Sequence, residues 1–139
     1  MNVKYRLTVI LKMMAVVYVI NPFSEIEGAK ERGSFFEAFA LAVTYFDYYS
    51  YLILRPHIPQ EKLDKISTGK KIKELFDRKL IKKETRNNMK EITKLRNDLI
   101  HPKGDMTLKY KLTPEQKDLV NKTLDCIREL RSILGLENP

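Results

Sequence analysis

The sequence is poor in the residues that staple chains or hold metals. It has one cysteine, Cys126, so no internal disulfide can form, and a reducing compartment, the cytoplasm, is the expected setting. Its two histidines, His57 and His101, and the lone thiol offer no metal-ligand spacing, so neither a metal nor another cofactor is expected. There is no tryptophan, and the five glycines form neither a P-loop nor a dinucleotide fingerprint. Long apolar runs are also scarce. Leu7 to Ile20 follows Lys4 and Arg6 in the manner of a signal peptide, but Lys12 interrupts it. Asn21-Pro22-Phe23 then stands where small residues would mark a cleavage site. The unbroken part, Met13 to Ile20, is too short to span a bilayer. Lys4, Thr8 and Lys12 instead put one polar stripe on an apolar helix. That pattern fits a core or interface helix, with no membrane contact expected, although a membrane-surface role remains open.

What the chain does have is positive charge. Twenty-six Lys and Arg against eighteen Asp and Glu give a net charge of +8 over 139 residues. Such an excess favours polyanions, nucleic acid or an anionic membrane surface. It fits a solvated Lys/Glu surface equally well. The 43% apolar content is ample for one core, and the whole chain, 1–139, reads as a single domain.

The periodicity predicts an all-α fold, a bundle of four to five antiparallel helices. The first covers about Val3 to Ile20 and stops at Asn21-Pro22. Its β-branched residues and alternation from Val3 to Met13 also fit a strand. Residues 21–33 read as a flexible polar connection broken by Gly28 and Gly33. The second helix begins at Ser34, with Glu37 completing a predicted capping box, and runs to about Leu54 ahead of Pro56. Tyr45, Tyr48, Tyr49 and Tyr51 crowd its second half, as core, as a dimer contact or as a base-stacking surface. A third helix spans about Lys70 to Leu80, with a helical turn before it at Glu61 to Ile66. The fourth runs from about Lys83 to Ile100 and is closed by Pro102. The fifth starts at Thr113, with Pro114 at its first position and Gln116 completing a capping box, and stops at Gly135. Cys126 falls in its apolar pattern, which suits a buried thiol.

The chemistry-bearing residues gather at the end of the fourth helix, in Arg96-Asn97-Asp98-Leu99-Ile100-His101-Pro102. Asn97 and His101 share a helix face at i and i+4, with Arg96 beside them. Pro102 disfavours helix for the residue before it, so His101 sits at the terminus and can turn outward. An imidazole can move protons near neutral pH. A guanidinium can grip phosphate oxygens in a fork. A carboxamide can orient the imidazole or donate to phosphate. The set suits cleavage of RNA by attack of the ribose 2′-hydroxyl on its own phosphate. It suits a helix C-cap as well, because His and Arg often bond the last carbonyls of a helix.

These seven residues resemble the R-N-x-x-x-H signature of the HEPN superfamily, helical domains that include many RNases of toxin–antitoxin and defence systems. The placement is similar too, with the motif closing a long helix and one helix following. The fold resemblance extends from Ser34 onward. It implies an HEPN-like bundle that dimerises with two motif copies facing one cleft. It also implies metal-independent endoribonuclease activity, with Arg96, Asn97 and His101 as the active-site residues. An antitoxin protein is a possible partner. Lys103 stands where family members modified by a nucleotidyltransferase antitoxin carry tyrosine, so that modification is not implied.

A basic block leads into the motif. Lys70, Lys71, Lys73, Lys79, Lys82, Lys83, Arg86 and Lys90, with Arg78, could form a phosphate track, or simply a solvated face. The expected function is thus an RNA-cleaving toxin or defence effector. The alternative is a non-catalytic HEPN-like module that binds nucleic acid or a partner protein.

Overall fold

A computed structural model describes residues 21–100 and 112–138. Among these residues every regular element is a helix: α1 (Pro22–Glu31), α2 (Phe35–Leu54), α3 (Gln60–Leu63), α4 (Thr68–Asp77), α5 (Lys83–Ile100) and α6 (Pro114–Ile133). The expectations on residues 1–20, His101 and Lys103 lie outside the described part.

The least polar helix organises the rest. Phe39, Ala42, Val43, Tyr45, Phe46, Tyr49, Ser50, Ile53 and Leu54 of α2 are all buried. They span about half of its circumference, and α2 packs on α1, α4, α5 and α6 together. Of the aromatic crowd, Tyr45 and Tyr49 belong to the core, and Tyr48 and Tyr51 are half-buried against it. Tyr45 and Tyr49 stack at 6.0 Å between centroids, and burial, reinforced by the nearby Glu25, pushes the Tyr45 phenol up to about 12.

Two contacts fix the directions of the helices. Lys117, at the start of α6, lies over the Phe35 ring at the start of α2. Arg131, near the end of α6, donates to the Tyr49 hydroxyl at 2.9 Å. Hence α2 and α6 run parallel. The start of α5, by contrast, meets the end of α6. The Lys82 N–H donates to Glu129 Oε1 at 3.2 Å, and the Thr85 hydroxyl donates to Glu129 Oε2. A carboxylate of one helix thus caps the positive end of another, supplying acceptors for orphan donors there. It follows that α5 and α6 are antiparallel, and α5 ends where α2 and α6 begin.

The structure corrects the expectation for residues 21–33, which form a helix. Asn21, read as a stop, is a start: its side chain accepts from the Phe23 and Ser24 N–H groups, and Pro22 takes the first helical position. Phe23, Ile26 and Ala29 anchor that helix in the core. Arg128 of α6 lies 5.1 Å from the Phe23 ring centroid, an added cation–π attraction. The box at Ser34 does not form either. Ser34 makes no side-chain cap, and Glu37 pairs with Arg32 at 3.1 Å. At α6 the predicted box is present, with Thr113 and Gln116 bonding each other's backbone N–H.

Two consequences are measurable. Glu129→Ala leaves the α5 N-terminus and the Thr85 hydroxyl without an acceptor, and should cost about 1–3 kcal/mol in denaturant unfolding. Cys126, buried against α5, has its thiol pushed up to about 12 by burial and by Glu129 and Asp125. The folded chain therefore keeps this proton where the unfolded chain loses it, and stability should fall as pH rises from about 9 towards 12. Native protein at pH 8 should resist iodoacetamide at Cys126 and react only when unfolded. Rapid native alkylation would contradict the buried thiol.

Candidate functional site

Helix α5 has two contrasting faces. Each residue turns the helix by about 100°, so residues three and four apart align. Thr85, Met89, Ile92, Thr93 and Leu95 turn inward and are buried. Lys83, Arg86, Lys90, Lys94 and Asn97 follow one another along the opposite side. Arg86 is half-buried and the other four are exposed. Over these fifteen residues the row extends about 21 Å along the helix. Arg86 is steadied from below, its guanidinium lying 4.2 Å from the centroid of Phe76.

The motif residues divide between these faces. Asn97 continues the exposed row. Arg96, one position back, falls in line with Met89 and Ile92 and is half-buried. Its Nε is buried and has no hydrogen-bond partner. None of the ion pairs among the described residues involves Arg96. A buried N–H without an acceptor costs about 1–3 kcal/mol, so this position is not tuned for stability. The arginine sits one turn before the end of α5, with a charge no described carboxylate offsets. His101 follows the last described residue of α5 and lies outside the described part.

The basic block is dispersed by the fold. Lys71 does not join any exposed track. It is buried, with its ammonium donating to Asp47 Oδ1 at 2.8 Å and to the Ile66 carbonyl at 3.2 Å. Thr68 donates to the same Asp47 oxygen at 2.8 Å, which ties the start of α4 to α2. Lys71 is thus a structural brace, a correction to its expected role. The signal was its place beside Ile72 and four residues before Leu75, on the inner side of α4. Lys73 is exposed but paired with Asp77 at 2.6 Å, which keeps its ammonium charged to higher pH. Arg78 pairs with Glu74. Lys70, Lys79, Lys82, Lys83 and Lys90 are exposed and take part in no ion pair among the described residues. Lys94, which follows them on α5, reads from its i+4 spacing to Asp98 as paired surface charge, but it forms no ion pair among the described residues. Its i+4 spacing from Lys90 is the signal that places it in the row.

Lys79 carries a further trait. It has φ of +60°, the left-handed conformation that ends α4. The Leu80 N–H reaches back to the Leu75 carbonyl at 2.9 Å, a termination usually built on glycine.

The apolar residues of Phe35–Leu54 include the tyrosines that the sequence also offers as a dimer contact. They are mostly used inside the fold, and Phe36 is the exposed exception at 49%. Ile100, at 43%, is exposed at the same end of the bundle. No described helix is long and apolar enough to cross a membrane. No family model, curated protein or solved structure matches the chain.

The contrast between Arg96 and Lys71 can be tested through stability. Asp47→Ala strands the Lys71 ammonium, whose side chain is only 7% exposed, and should cost about 1–3 kcal/mol. This is below the fully buried case because Asp47 itself keeps 42% of its exposure. Arg96→Met removes an unpaired N–H while keeping length and apolar contact. It should leave the unfolding midpoint unchanged or raise it. A loss above about 2 kcal/mol would make Arg96 a structural residue.

Proposed function

We propose that the chain is an HEPN-like, metal-independent endoribonuclease that acts in the cytoplasm as a toxin or defence effector. The observation that carries this reading is the Arg96-Asn97 pair at the end of α5. There a guanidinium with no acid partner among the described residues follows a row of cations, three exposed and Arg86 half-buried. Buried arginines that serve structure are paired, because an unpaired buried charge is costly. Arg96 suits a temporary partner with negative charge, such as the phosphate of a bound substrate.

On this reading the 2′-oxygen of one ribose attacks the adjacent phosphorus, and the bond to the next 5′-oxygen breaks. The 2′-hydroxyl proton passes to a base, and the departing 5′-oxygen takes one up. His101 exchanges these protons. Arg96 offsets the charge growing on the phosphorane, and Asn97 holds the imidazole or a phosphate oxygen. The products are a 2′,3′-cyclic phosphate and a 5′-hydroxyl.

The reading includes a homodimer that brings two motif copies to one cleft. The exposed Phe36 and Ile100 at the motif end of the bundle support it. A monomeric mass at micromolar concentration would count against this part.

Cleavage of a mixed-sequence RNA tests the whole. It should continue in excess EDTA and leave 2′,3′-cyclic phosphate ends. RNA methylated at the 2′-oxygen should resist. His101→Ala and Arg96→Ala should each slow cleavage about 10²–10⁴-fold, with unchanged circular dichroism. Equal rates in wild type and both variants would remove the nuclease and leave a helical module that binds without cutting.

A further inference from the structure

We infer that the outer face of α5 is a track for one strand of RNA, fenced on one side against a second strand. The inference rests on the RNA-cleaving reading for its ligand, and on the arrangement of charges on α5 for its geometry.

Four cations, Lys83, Arg86, Lys90 and Lys94, occupy one line along the helix, and Asn97 ends it beside Arg96. Neighbouring members are about 5–6 Å apart at their Cβ atoms. None of the four forms an ion pair with a described carboxylate. A backbone lying along this line would meet cations over about 16–17 Å before its phosphate reached the motif.

The second observation is the border. Glu84, Glu91 and Asp98 recur every seven residues, and all three are exposed. At about 100° per residue they form their own row, displaced by roughly a quarter turn from the cations. One flank of the track is therefore acidic along its whole length. An A-form RNA duplex presents two phosphate walls across its wide, shallow minor groove, and a helix set against that groove meets both. On α5 one wall would fall on the lysines and the other on the carboxylates. A single strand needs only the basic line.

This sets the track apart from a merely basic surface. Duplexes concentrate more charge per length and release more counterions per contact than single strands. A non-selective cationic face would bind them at least as well.

Anisotropy titrations with the full chain test the inference. The probes are a sixteen-nucleotide, 2′-O-methylated RNA, which resists cleavage, and its blunt duplex. The single strand should bind at least fivefold tighter. Lys90→Ala/Lys94→Ala should weaken single-strand binding about tenfold or more at 100 mM salt. It should also flatten the slope of log affinity against log salt by about 1.4. Lys62→Ala/Lys65→Ala, the same charge loss at exposed lysines on and just after α3, should change affinity less than threefold. Glu84→Gln/Glu91→Gln should raise duplex affinity more than single-strand affinity. Four results would overturn the track: no binding, duplex preference in the wild type, equal losses from the two lysine pairs, or an unchanged strand ratio after the Glu substitutions. Selective binding without cleavage of unmethylated RNA would sink the nuclease reading alone. Cleavage indifferent to Lys90 and Lys94 would sink the track alone.

Discussion

The structure depends on the burial of α2. This helix is apolar on most of its circumference, so it must be surrounded, and four helices take up positions around it. Each buried aromatic or branched side chain contributes about 1.5–3 kcal/mol relative to exposure. That contribution fixes the inner face of every neighbour and leaves its outer face to be chosen by other demands. On α5 the outer face is a line of cations with an acidic border, and function is most readable there.

Much of this was legible because local pattern and packing agree. The inner face of α5 follows from the spacing of Met89, Ile92 and Leu95. The start of α6 follows from Thr113, Pro114 and Gln116, whose reciprocal bonds need no tertiary partner. Other features hid where one residue pattern has two meanings. Asn21-Pro22 ends a preceding helix or begins a following one, and the apolar anchors Phe23, Ile26 and Ala29 decide for the second. Ser34 and Glu37 have the spacing of a box, but Arg32 competes for the carboxylate. Lys71 reads as surface charge until Asp47, twenty-four residues away, is seen to receive it.

The motif shows the same limit at the level of function. Its residue types and spacing put Asn97 and His101 on one face, with Arg96 beside them. In the fold Arg96 lines up with the inward residues of α5, while Asn97 lies with the lysines. The i+4 step from Ile92 to Arg96 already contained this division. What no spacing could reveal is that the Arg96 Nε finds no acceptor among the described residues. An arginine that is half-buried, with an unpaired Nε and at the end of a basic row, is expected to contribute little to stability. On the proposed reading, a bound phosphate is the partner that would account for its place there.

The central claim is that Arg96 serves a bound phosphate and not the fold. Thermal unfolding and RNA cleavage measured on one variant, Arg96→Met, test it most directly. The account predicts an unfolding midpoint at or above that of the wild type together with cleavage at least about a hundredfold slower. A destabilised variant that, while still folded, cleaves at the wild-type rate would contradict it.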